Sequence, residues 1–240
     1  MFRRTLIATL SLAFIAPAWA DTTVGSGRRA TESRPVTDFE SIALSGSMKL
    51  IVRQAAAPSL QVQADDNVLP LVETVVEPRE GTPTLLVRLR KGTHLRRGGD
   101  IVITVDVVRL TGLSTSGAGS IEVGPLKTPT LKLAIAGAGD ARLGGLTTDR
   151  LEAAIAGSGD IRAEGRAREL RLSIAGSGDA DLRALEADEV KVGIAGSGDA
   201  DVTAHKSLSV SIAGSGDVRY AGQVEGVKTS VVGSGQVRRR

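Results

Sequence analysis

Between residues 113 and 237 apolar and polar residues alternate with period two, in short runs broken by glycine-rich tetrapeptides. Leu131, Leu133 and Ile135 form one run, and Leu151, Ala153 and Ile155 the next. They are followed by Leu170, Leu172, Ile174; Val190, Val192, Ile194; Leu208, Val210, Ile212; and Val227, Thr229, Val231. After each tetrapeptide a second, shorter alternation appears, as in Ile121 and Val123, Ala141 and Leu143, or Leu182 after Ala180. A period of two places one set of side chains on one face, which predicts strands with a single buried face; an amphipathic helix needs a period near 3.6.

The tetrapeptides set the architecture. GAGS at Gly117 returns as GAGD at Gly137, as GSGD at Gly157, Gly176, Gly196 and Gly214, and as GSGQ at Gly233, so the copies advance by a nearly constant step. A unit of two short strands cannot bury its apolar face alone, so units must stack, each coil pairing in parallel with the next. The sequence therefore predicts an all-β parallel solenoid of about 20-residue coils. At a strand spacing of about 4.8 Å, seven turns make a rod of roughly 30 Å. Two glycines around one small residue suit a corner that needs positive φ and has no room for a Cβ beneath the next coil. The preceding residue is small too: Ser116, Ala136, Ala156, Ala175, Ala195 and Ala213.

The N-terminal third follows a looser plan. Phe39 to Val52, with Ile42, Leu44, Gly46, Met48 and Leu50, reads as an earlier copy of the strand-turn-strand unit. Strands are expected at Leu60 to Val62, Leu85 to Leu89 and Ile101 to Val107, and a capped helical turn over Asp66-Asn67-Val68-Leu69-Pro70-Leu71-Val72. No linker composition intervenes near residue 110. Residues 36–240 are accordingly one domain, with irregular first coils over 36–113 and regular repeats over 114–237. Residues 21–35 are polar and expected to lack order.

Composition agrees with stacked strands: 41% of residues are apolar but only 2% aromatic, so the core is built from Val, Leu, Ile and Ala. Residues 1–20 read as a secretory signal peptide, with Arg3 and Arg4, an apolar run from Leu6 to Ile15, and an Ala18-Trp19-Ala20 cleavage site. The run is too short for a membrane span. This predicts an exported protein of the periplasm or outer surface of a bacterium. The absence of cysteine leaves neither a lipid-acceptor site nor a disulfide framework. Of 30 basic residues two lie in the leader, which leaves 28 against 27 acidic, a balance that gives no basis for nucleic-acid binding.

The opening Phe39-Glu40-Ser41-Ile42 with Gly46 and Ser47, the Asp66-Asn67-Val68-Leu69 segment, the strand Ile101 to Val107 and the repeated GSGD turns together resemble the putative auto-transporter adhesin head GIN domain family, DUF2807, over roughly residues 36–220. The resemblance implies a right-handed parallel β-helix exported to a bacterial envelope, and it brings no catalytic or binding residues with it. An autotransporter also needs a C-terminal membrane barrel, for which the residues after Tyr220 are too few.

Candidate chemistry is sparse. Asp140, Asp160, Asp179, Asp199 and Asp217 form a column. Stacked carboxylates repel, so each needs a compensating partner. A cation file is one reading, but a single carboxylate per coil does not complete the oxygen shell of calcium. The other reading has each Asp accept backbone N–H groups of its own turn, as a structural ladder. Arg88, Arg90, Lys91, Arg96 and Arg97 gather around His94 as a candidate polyanion patch or as a solvated hairpin tip. The outward position two after each Asp runs Arg142, Arg162, Asp181, Asp201, Arg219 and Arg238, which suggests salt links along a solvated face. Two histidines, no cysteine and no HExxH, GxSxG or phosphate-loop pattern leave no enzyme motif, cofactor site or metal site to assign. The expectation is a non-catalytic scaffold or adhesion module with an envelope or surface ligand, and with pairing through an end coil as a route to a dimer. A glycan-binding or glycan-active protein is the alternative.

Overall fold

The computed structural model describes residues 22–97 and 100–240; the signal peptide expected over 1–20 lies outside them. The chain is all-β, a solenoid of about six turns with coils of about 20 residues. Successive coils pair in parallel: Leu126–Gly137 with Asp140–Gly157, then Ile161–Gly176, Ala180–Gly196, Ala200–Gly214 and finally Gly226–Gly233. The alternating residues form buried ladders, among them Leu131, Leu151, Leu170, Val190 and Leu208, and Ile135, Ile155, Ile174, Ile194 and Ile212. Burying each such side chain stabilises the stack by about 1.5–3 kcal/mol.

The glycine corner holds strict register: Gly137, Gly157, Gly176, Gly196, Gly214 and Gly233 are stacked partners. Gly176 shows why. Its φ is +136°, and a Cβ there would collide with the Gly157 carbonyl oxygen one coil away. Differences in coil length are absorbed elsewhere, at register shifts such as Leu143/Leu146 and Leu182/Glu186.

The first coil does not follow the order of the chain. Ser41–Ser45 and Lys49–Gln54 pair in parallel with Gly112–Gly117 and Ser120–Val123 on one side, and with Thr82–Leu89 and Val102–Val107 on the other. The intervening segment thus leaves the stack and returns beneath its own starting coil. There it closes the end with antiparallel strands, Ser59–Asp65 against Val102–Val107 and Val72–Arg79 against Thr82–Leu89. The latter hairpin turns through Glu80 and Gly81, with φ of +49° and +80°, the backbone of a two-residue type I′ turn.

Two local expectations are corrected. Within the segment 21–35 expected to lack order, Arg29–Ser33 pairs antiparallel with Ser59–Asp65 and Thr22–Val24 pairs in parallel with His94–Arg97, while Asp21 lies outside the described residues. Arg34 pins the first of these, donating to the carbonyls of Leu69 (2.8 Å) and Val72 (2.5 Å) and to Thr74 Oγ1 (3.2 Å). The capped helical turn is a single 3₁₀ turn, Leu69–Leu71, with Val68 at the N-cap and no side-chain cap. Asp66 and Asn67 are instead engaged with the N-terminal segment, through Ser26 and the Val24 carbonyl.

Candidate functional site

The Asp column is built by the corner, but not as a set of self-capped turns. Each Asp Oδ1 accepts the backbone N–H at the equivalent position of the following coil: Asp140 from Asp160 (3.3 Å), Asp160 from Asp179 (3.1 Å), Asp179 from Asp199 (2.8 Å), and Asp199 from Asp217 (2.8 Å). Asp217 accepts from Gln236 (2.9 Å). The carboxylates therefore replace backbone carbonyls where the chain bends out of the ladder. In the second coil, which follows Ser120 rather than an Asp, the Asp140 N–H goes to the Gly119 carbonyl instead. Among the described residues no three His, Cys, Asp or Glu side chains converge as metal ligands.

The outward column beside it carries salt links. Asp181 binds Arg183 at 2.6 Å, and that hydrogen bond is the main cause holding its carboxyl below the usual carboxylate range. Arg219 lies 3.6 Å from both Asp199 and Asp201.

The basic cluster is divided by the fold. Arg88 and Arg90 face Glu73 across the hairpin, at 3.0 and 3.9 Å, and Arg90 also donates to the Pro70 carbonyl. Lys91 and Arg96 are exposed and have no carboxylate partner among the described residues. Arg97 closes the short strand His94–Arg97, and its side chain lies outside the described set.

A different surface emerges that no sequence motif marks. On the outer face of the sheet before the glycine corner, Ala43, Ser114, Ala134, Ala154, Ser173, Gly193 and Ser211 stack in register. Beside them runs Gly112, Lys132, Glu152, Arg171, Lys191 and Ser209. Together they line an open groove of about 970 Å³ whose end is formed by Arg79, Glu80 and Thr82 of the capping hairpin. Small floor residues let a ligand approach the sheet closely. Arg171 is held by Glu169 at 2.6 Å, whereas Lys132 and Lys191 have no ion-pair partner among the described residues, so the wall is net basic. Gly193 is not there for backbone reasons: a Cβ would meet only the Leu172 carbonyl, at 4.0 Å. The signal available in the sequence is the small third residue before each corner glycine, as in Ala-Ile-Ala-Gly and Ser-Ile-Ala-Gly.

A second groove, of about 920 Å³, includes Lys127, Arg166, Glu186, Asp188 and His205. Its charges are largely satisfied internally, Arg166 by Glu186 at 3.0 Å and Asp188 by Lys206 at 2.7 Å.

Residues 38–224 match the sequence model of the family described as "Putative auto-transporter adhesin, head GIN domain". No curated protein matches the chain. Among solved structures, it is similar to a "putative adhesin" of Bacteroides fragilis, with a TM-score of 0.82 at 25% identity over 91% of this chain and 100% of that one. It is similar also to a "putative lipid binding protein" of Parabacteroides distasonis, with a TM-score of 0.75 at 27% identity over 92% of this chain and 100% of the other. A "putative adhesin" of Parabacteroides merdae shares the fold, with a TM-score of 0.72 at 24% identity over 92% of this chain and 99% of its own.

Proposed function

The chain belongs to the family described as "Putative auto-transporter adhesin, head GIN domain", and from that premise we propose that it acts as a non-catalytic interaction module of the bacterial envelope, binding its ligand on the outer face of the coil stack. The groove over Ala134, Ala154, Ser173 and Gly193 carries this reading, because small residues stand outward over successive coils and at Gly193 no close contact requires the absence of a side chain. A continuous sheet holds such a surface rigid, so little ordering cost is incurred on binding. The similar solved structures bear the names "putative adhesin" and "putative lipid binding protein", and the leader pattern of residues 1–20 supports export.

The test is binding of the purified chain, lacking the leader, to immobilised peptidoglycan, lipopolysaccharide and phospholipid vesicles. Saturable binding to one of these, lost in Gly193→Trp with thermal unfolding unchanged, is the expected result. Binding to none of them, or turnover of a glycan by the purified protein, would refute it.

A second reading is polyanion binding at Arg88, Arg90, Lys91, Arg96 and Arg97. It is favoured by Lys91 and Arg96, which lack carboxylate partners among the described residues, and weakened by the engagement of Arg88 and Arg90 with Glu73. Retention on heparin that disappears in an Arg96→Ser, Arg97→Ser variant would select it; a native protein that flows through would remove it.

A further inference from the structure

The two ends of the stack are unlike. One is closed by the antiparallel strands of residues 55–107, while the last coil, among the described residues, has no neighbour above it. Among the described residues, strand Gly226–Gly233 pairs only with Ala200–Gly214, and Val237–Arg239 only with Val218–Ala221. The inner-ladder residues Val227 and Val231 are consequently 38% and 40% exposed, whereas Leu208 and Ile212, one coil below, are each 1% exposed. In a parallel ladder, alternate peptide groups face opposite neighbours. The Ser234 N–H points back to the Gly214 carbonyl, so the peptide groups of Val227, Thr229 and Val231 face the open side. An edge of this kind, carrying both free backbone groups and apolar side chains, is a template for an added strand.

Two features identify what it takes. The corner ladder stops here: Gln236 stands where earlier coils have Asp, and its Oε1 is occupied by Arg238 Nε (2.8 Å) and Nη2 rather than offered to a following coil. A further coil in register would find no carboxylate for its corner N–H and would have only a glycine carbonyl to bond, as Asp140 does with Gly119. The rim is also basic. Lys228, Arg238 and Arg239 form no ion pair among the described residues, and only Arg240 is paired, with Asp201 at 3.6 Å. Two copies meeting end to end would bring these cations together.

We propose that the open edge of Gly226–Gly233 docks a single extended strand of an acidic partner, with carboxylates at alternate positions facing Lys228 and the Arg238–Arg240 rim, and β-branched residues over Val227 and Val231. This edge adjoins the groove at Ser209 and Ser211 but engages the unpaired backbone of Val227, Thr229 and Val231, which the groove does not use, so Thr229→Pro and Gly193→Trp test the two surfaces independently.

The probe is a synthetic peptide of alternating valine and glutamate, with the valine and lysine peptide as control. Calorimetry is run at low and high salt, and amide exchange is followed on the full chain lacking its leader. The expected result is binding of the glutamate peptide only, weakening with salt as charge attraction is screened, together with slowed exchange at Val227, Thr229 and Val231. Thr229→Pro removes an N–H that the fold does not use, and an edge strand tolerates such a proline. Binding should then be lost while unfolding is unchanged, whereas Gly193→Trp should leave peptide binding intact. Equal binding of both peptides would overturn the acidic assignment. So would binding of neither, with the three amides still exchanging fast. A concentration-dependent dimer abolished by Thr229→Pro would overturn it in favour of a second copy of this chain.

Discussion

Replacing Asp179 with alanine removes one acceptor of the corner ladder together with one charge of the column. Its Oδ1 accepts the Asp199 N–H at 2.8 Å, while its own N–H, bound to Asp160, survives the substitution. A hydrogen bond to a charged group contributes about 1.5–3 kcal/mol when shielded and less where water can substitute. The corner is exposed and the lost charge also relieves repulsion along the column, so the net loss expected is about 1 kcal/mol, or a fall of about 2–4 °C in Tm for a chain of this size. Asparagine keeps the accepting oxygen and removes the charge. Neighbouring carboxylates about 4.8 Å apart repel by roughly 0.9 kcal/mol in a water-like dielectric before salt screening. The relief offsets the weaker acceptor, and Asp179→Asn should stay within about 0.5 kcal/mol of the native protein. Thermal unfolding followed by circular dichroism gives the stabilities, and amide exchange gives the local effect, with the Asp199 amide accelerated in the alanine variant alone. An alanine variant as stable as the native protein, or a calcium-dependent rise in Tm that both variants abolish, would refute the ladder as the reason for the column.

Other consequences can be measured in the same way. Thr115 is buried in a ladder between Leu44 and Ile135, and its Oγ1 has no hydrogen-bond partner among the described residues. Thr115→Val should therefore stabilise the protein by about 1 kcal/mol, read as a higher midpoint in urea. Gly176→Ala, with its Cβ against the Gly157 carbonyl and φ at +136°, should cost more than about 2 kcal/mol or prevent folding. Asp106 is held below its ordinary value of 3.8 chiefly by the Ser59 hydroxyl at 2.7 Å, against desolvation, with Arg53 at 2.8 Å adding to the effect. Because the folded value is the lower one, its stabilisation is complete above the unfolded value and is lost as pH falls from about 4 through the folded value. Asp106→Asn should accordingly flatten the acid limb of stability against pH, and an unchanged limb would contradict the assignment.

The regular coils are legible because one signal repeats: a period-two alternation and a glycine corner in every coil fix strands, register and the parallel stack together. The first coils are not, since nothing local in Lys49–Gln54 says that Val102–Val107 will come back to lie beside it. Arg29–Ser33 looks disordered in sequence because its stability comes from a partner strand well separated along the chain, Ser59–Asp65, and from Arg34 bridging the 3₁₀ turn. For the Asp column, the alternation places each Asp at a bend without saying whether its carboxylate turns to its own coil or to the next; the structure turns it to the next. The groove escapes the sequence for a different reason: small outward residues carry no charge or motif, and only stacking turns Ala154, Ser173 and Gly193 into a continuous floor.

If the corner carries stability and the outer face carries ligand binding, a paired measurement of Asp179→Ala and Gly193→Trp separates the two directly. Each variant is assayed for Tm and for binding to the envelope component that the native protein retains. The prediction is that Asp179→Ala unfolds about 2–4 °C lower yet binds normally, while Gly193→Trp unfolds as the native protein does and no longer binds. A folded Asp179→Ala that fails to bind, or a Gly193→Trp that binds as well as the native protein, would contradict it.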